Sequence, residues 1–141
     1  MDDRFNLQRF VDAQRAVYDQ VREELQSGSK RGHWMWFIFP QLEGLGSSAT
    51  AKRFAISCRE EAQAYVAHPV LGPRLLQCTG LVTGGVTPIE HLFSYPDDLK
   101  FRSSMTLFSQ AAPEKIIFKE ALEKYFAGQG CLFTMEQLGR A

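Results

Sequence analysis

Residues 33 to 39 read His-Trp-Met-Trp-Phe-Ile-Phe and stop at Pro40, and no other stretch restricts the fold of this chain so strongly. Both tryptophans and two of the eleven phenylalanines lie in it. Aromatic side chains bury the most area per residue, so this run belongs at the centre of the fold. It is apolar on every side, so periodicity does not separate a buried strand from a buried helical turn, and proline ends either one; the run is read as a short helix or an irregular core segment. Gln41-Leu42-Glu43-Gly44-Leu45-Gly46-Ser47-Ser48 follows and brings flexible backbone and small polar side chains up to that centre. Such a turn suits the rim of a pocket.

The rest of the chain is patterned for helices. Leu7, Phe10, Val11, Val17, Tyr18, Val21 and Leu25 recur at three- and four-residue steps, which predicts one amphipathic helix. Asp3 or Asn6 is placed to cap it, and Ser27-Gly28-Ser29 to end it. Residues 49 to 54 suit a brief helix. Ser57-Cys58-Arg59-Glu60 reads as a capping box for a helix to about Ala67, and Pro69 opens another whose stripe is Leu71, Leu75, Cys78 and Leu81 or Val82. Thr87-Pro88-Ile89-Glu90 repeats the capping signal for a short helix to about Phe93. Asp97 or Asp98 caps a helix carrying Phe101, Met105 and Phe108, and Pro113 opens the last long one, with Thr134-x-x-Gln137 as a final turn. No alternating polar and apolar stretch and no hairpin signal argues for a sheet. The expectation is an all-α fold, a single compact domain over residues 1–141 with about six to seven helices.

Composition narrows the function classes. In 141 residues, 16 basic and 16 acidic side chains cancel, so the chain lacks the broad positive field of non-specific nucleic-acid binding. No window approaches a membrane span and the N-terminus lacks the apolar block of a secretory signal, so a cytoplasmic address is expected. Cys58, Cys78 and Cys131 are widely spaced and read as reduced thiols. No metal or cofactor is expected: H-E-x-x-H, P-loop, G-x-S-x-G and G-x-G-x-x-G sequences are all missing.

Chemistry is left to a few polar side chains outside the helix stripes. His33 is a general base or a core histidine bonded to a carbonyl, imidazole being poised near neutral pH. Trp34 and Trp36 are stacking surfaces or core. Gln41 is placed to read the polar edge of a ligand. Arg74 suits a phosphate or carboxylate, the plainer alternative being an ion pair with Glu60 or Glu61. Lys100, Ser103, Ser104 and Thr106 follow Asp97 and Asp98 on one helix; Lys100 shares a face with Ser103 and Ser104, and a lysine with hydroxyls near a helix start can cradle an anion or simply face solvent.

These residues also carry a resemblance. His33 to Leu42 with Gly44-Leu45-Gly46, then Glu61-Ala62 and Tyr65, His68-Pro69-Val70-Leu71-Gly72 with Arg74-Leu75, Asp97-Asp98-x-Lys100 and Ser103 to Phe108, together resemble the DUF1810 family of bacterial proteins, in order from about Leu7 to Leu138. The resemblance implies a small, mainly α-helical domain of the Rv1873-like type without a settled activity. Ser94-Tyr95-Pro96 departs from the glycine that often precedes the Asp-Asp-x-Lys block. A fainter likeness, carried by His68 to Leu71, Leu75-Leu76, Thr79-Gly80, Ile89-Glu90 and Asp97-Asp98, is to NADAR proteins, which act on N-glycosidic bonds and ADP-ribose; their Trp-x-x-x-Glu-His block is missing here.

Two functions are consistent with these readings. The first is binding, with or without hydrolysis, of a small anionic ligand of nucleotide or ADP-ribose type in a pocket lined by His33, Gln41, Arg74 and Lys100 to Thr106 and walled by Trp34 or Trp36, with His33 or Asp98 activating water. The second is a non-enzymatic interaction module, as a monomer or a homodimer, whose aromatic block is core or interface.

Overall fold

The computed structural model describes residues 3–139, and within them the chain forms helices α1 (Gln8–Arg15), α2 (Tyr18–Ser27), α3 (Met35–Ile38), α4 (Ala49–Arg53), α5 (Arg59–Ala67), α6 (Leu71–Thr83), α7 (Ile89–Leu92), α8 (Asp97–Ala111), α9 (Ile117–Phe126) and α10 (Leu132–Gly139). The fold is all-α, with no strand among the described residues and one isolated parallel bridge between Leu42 and Ile56. Its ten helices exceed the six or seven expected.

One reason is a break in the first helix. Val17 takes φ −123°, and its N–H turns to Gln14 O, so α1 and α2 are separate rods. The stripe position after Phe10 is held by Gln14, which is 1% exposed. Its amide donates to Phe37 O at 2.7 Å and to the Tyr65 hydroxyl at 3.1 Å, satisfying a buried polar group. The break lets α1 pack on α3 while α2 packs on α6.

Capping also differs from the motif reading. Asp3 does serve the first helix, accepting from the N–H groups of Leu7 and Gln8 at 2.7 and 2.9 Å. At α5 the capping carboxylate is Glu61, not Glu60: it accepts from Ser57 N and Oγ at 2.9 and 2.7 Å. His68 Nδ1 accepts from Val70 N and Leu71 N, and so starts α6. Neither Asp97 nor Asp98 caps α8, and Thr87 does not cap α7. Asp97 is drawn away by two lysines.

α8 is the axis of the molecule. Phe101, residues 103 to 108 and Ala111 are buried along it, and α5, α9 and α10 pack around it with α3 and α7 at its first turns. The aromatic run enters the core as expected: Trp34 and Phe39 are 1% and 0% exposed, and Phe39 meets Phe101 edge-on with centroids 5.0 Å apart. Edge-to-face pairs of this kind add about 0.5–1.5 kcal/mol beyond area burial. No helix among the described residues is long and apolar enough to cross a membrane.

Candidate functional site

The site grows from the segment after Pro40. Ile56 N donates to Gln41 O at 2.9 Å and Glu43 N donates to Ile56 O at 2.8 Å, so the bridge pins the backbone on both sides of Leu42. Gly44 then turns with φ +104°, a conformation that favours glycine, and a Cβ there would stand 2.9 Å from the Phe133 ring of α10. The chain is thus directed over the first turns of α8 and re-enters a helix at Ser48, whose Oγ accepts from Ala51 N at 3.1 Å.

Between this loop and α8 lies a groove of about 410 Å³. Trp36, Gln41, Lys100 and Ser103 all line it, with Ser47 and Ser48 on the loop side and Pro96 and Leu99 on the α8 side. A narrow cleft continues past Trp36 and Gln41 towards Glu43 and Lys52. Trp36 is half-buried and Lys100 Nζ stands 4.5 Å from its ring centroid, a cation over an aromatic face. Asp97 holds that lysine in place at 3.4 Å, and its other oxygen binds Lys30 at 2.8 Å. One carboxylate is shared by two ammonium groups, and the longer contact goes to Lys100.

Four of the residues singled out in the sequence therefore converge. The others do not. Trp34 is core: its Nε1 donates to Glu24 and its ring meets Phe39 and Phe93. His33 is exposed before α3 and lines no part of the groove. Arg74 stacks 4.6 Å over Tyr18 and donates to Gln14 Oε1 at 3.3 Å, away from the groove and away from Glu60 and Glu61. Glu61 pairs with Arg9 instead, at 2.9 Å. Ser104 and Thr106 are 0% and 1% exposed inside α8, where Thr106 Oγ1 donates to Arg102 O. Asp98 keeps a buried oxygen without a hydrogen-bond partner and does not line the groove. A pocket drawn through His33, Arg74 and all of Lys100 to Thr106 gives way to a smaller groove, because His33 precedes α3, Arg74 sits on α6, and Ser104 and Thr106 are packed inside the core around α8.

Glu24 is a residue the sequence reading missed. It is 1% exposed, yet it accepts from Arg31 N at 2.7 Å, Gly32 N at 2.9 Å, Trp34 Nε1 at 3.0 Å and Gln20 Nε2 at 2.7 Å. Burial pushes its carboxyl up, but these donors outweigh burial and hold it at about 2. The carboxylate ties α2 to the loop that delivers the aromatic run. Its only sequence signal was an acid close to the apolar stripe of an amphipathic helix.

A model described as protein of unknown function (DUF1810) matches residues 4–138. The chain belongs to the DUF1810 family. It is also similar to the conserved hypothetical protein Rv1873 from Mycobacterium tuberculosis, whose crystal structure was solved at 1.38 Å: identity is 54%, the match covers 97% of this chain and 99% of that one, and the TM-score is 0.96. No protein among the curated ones matches. None of these matches carries the NADAR likeness.

Proposed function

We propose that this DUF1810 protein binds a small anionic ligand of nucleotide or ADP-ribose type in the groove between the Gly44–Ser48 loop and α8. The observation that carries the reading is the Lys100 ammonium 4.5 Å above Trp36, with Gln41 and Ser103 on the same concave surface. An indole face stacks on a flat heterocycle; an amide offers both donors and an acceptor to its edge; an ammonium satisfies a phosphate. A larger hollow of about 540 Å³ beside Gly28 and Gly84–Thr87 is lined by glycines, apolar groups, small hydroxyls and the Gln26 amide, and offers no charged group to orient a ligand. Hydrolysis finds less support, since neither His33 nor Asp98 faces the groove.

Thermal shift with a panel of mononucleotides, dinucleotides and ADP-ribose tests this reading. A ligand at a hundred times its Kd stabilises the native state by about 2.7 kcal/mol. Trp36 fluorescence should quench with the same ligand, and Gln41→Ala and Lys100→Ala should remove both signals while the fold melts as before. A panel without a single shift or quench overturns the proposal. The second reading, an interaction module, is favoured by Tyr95 and Leu99, large apolar side chains that are 79% and 44% exposed, Leu99 on the groove wall and Tyr95 next in the chain to Pro96, which also lines it. Light scattering that shows a dimer broken by Tyr95→Ser and Leu99→Ser would favour it instead.

A further inference from the structure

We propose that the groove selects guanine among the nucleobases, with Glu43 as the specificity-determining residue and Lys52 as its partner. The inference rests on the nucleotide reading above and narrows it to one base. It starts from the cleft that leads off the groove. Trp36, Gln41, Gly46 and Ala51 line both spaces, so the cleft opens beside the indole and the amide that a ligand in the groove meets. Its volume is about 30 Å³, the space that roughly two water molecules fill. A whole nucleotide is too large for it. The polar edge of one ring fits, with the rest of the ligand left in the groove of about 410 Å³.

The charged groups of this cleft are one acid and one base. Among the described residues, Glu43 is the single acid that lines the cleft or the groove, and Lys52 joins it from the last turn of α4. Neither belongs to any of the ion pairs formed among those residues. Both also line an outer hollow whose arginines are engaged elsewhere: Arg9 with Glu61 at 2.9 Å, Arg4 over the Phe5 ring at 4.8 Å and Arg53 over the Phe54 ring at 5.1 Å. Glu43 N donates to Ile56 O at 2.8 Å, and Gly44 turns directly after it with φ +104°. Lys52 N donates to Ser48 O at 3.0 Å. The two side chains therefore reach one cleft from two fixed segments.

A carboxylate only accepts hydrogen bonds and an ammonium only donates them. Together they fit a ligand edge that carries adjacent donors with an acceptor beside them. Guanine has that edge: N1–H and the 2-amino group side by side, with O6 next to N1. Adenine and cytosine each place a ring-nitrogen acceptor next to the amino group, and uracil sets its N–H between two carbonyls, so each turns an acceptor towards the carboxylate. In this arrangement Glu43 accepts from N1–H and the 2-amino group, and Lys52 donates to O6. The purine lies along Trp36, and the phosphate is left to Lys100 and Ser103 in the groove. Gln41 offers both a donor and an acceptor and suits any base.

Isothermal titration of the intact chain with the 5′-monophosphates of guanosine, inosine and adenosine tests the assignment. Guanosine monophosphate should bind at least about tenfold tighter than adenosine monophosphate, the discrimination of one good bidentate pair. Inosine monophosphate keeps N1–H and O6 but lacks the 2-amino group, and should fall between them. Glu43→Gln, an isosteric change on an exposed residue, should bring the guanosine and adenosine ligands level. Lys52→Met should weaken guanosine and inosine monophosphates by the same factor. Equal affinity for the guanosine and adenosine ligands in the wild-type chain overturns the guanine assignment and leaves the nucleotide reading standing. So does a guanine preference that survives Glu43→Gln. Binding of none of the three also overturns it, and if ADP-ribose is silent too, the nucleotide reading falls with it.

Discussion

Glu24 shows how far one side chain can matter when its burial is almost complete. Its carboxyl, ordinarily at 4.5, is held at about 2 once folded. A depressed acid contributes stability that is fully present above its unfolded value and fades as pH falls from 4.5 towards 2. Linkage puts that contribution at roughly 3 kcal/mol at neutral pH. Glu24→Gln should therefore lower urea stability by an amount of this order at pH 7, and the gap from wild type should shrink steadily below about pH 4.5. A gap independent of pH would mean that the charge is not what the amides and the indole require. The two tryptophans separate the core from the site in the same way. Trp34→Ala removes a side chain 1% exposed and should cost about 3–5 kcal/mol, while Trp36→Ala, on the groove wall, should cost far less and should instead abolish ligand quenching. Sequence alone left this pair unassigned, since their spacing puts both on one face of a strand and on nearly opposite faces of a helix. The helical turn of α3 decided between them, sending Trp34 inward and Trp36 to the groove.

At the scale of elements, two junctions hold the helices in register. Arg9 on α1 spends its five N–H bonds on Arg53 O, Phe5 O, Asn6 O, Ala55 O and Glu61 Oε2, between 2.6 and 2.9 Å. This fork gathers the N-terminal turn, the end of α4 and the start of α5. Lysine keeps the charge but not the planar geometry, so Arg9→Lys should still be destabilising, by about 1–3 kcal/mol in chemical unfolding. Gly72 sits where α6 begins close against the end of α5, and a Cβ there would run into Val66 O. Gly72→Ala should lower the melting temperature, with a cost of about 1–3 kcal/mol from overpacking. The helices themselves were legible from three- and four-residue steps, and their stops from glycine and proline. Capping partners were less so: Glu61 displaced Glu60, and Asp97 went to Lys30 and Lys100, because a carboxylate beside a helix start takes whichever donor tertiary packing brings nearest.

Across the whole molecule, stability should be graded about α8. Its apolar and hydroxyl side chains are buried against α5, α9 and α10, whereas α4 buries none of its residues and forms the groove's outer side. Hydrogen exchange should therefore find the central amides of α8 among the slowest and those of α4 among the fastest, and a ligand in the groove should slow α4 selectively. Uniform exchange through both helices would contradict this gradient. The all-α class, the central place of the aromatic run, the family and most helix stops were legible in the residues alone, because each follows from local periodicity, backbone restriction or an unbroken string of residue types. Which polar tips share a cavity depends on how the helices and loops pack. Gln41, Trp36, Lys100 and Ser103 meet because a two-bond bridge to Ile56 and the turn at Gly44 carry the loop over one face of α8; Arg74, His33 and Thr106 point elsewhere. Convergence is a property of distances between segments far apart in the chain, and no spacing within one segment encodes it.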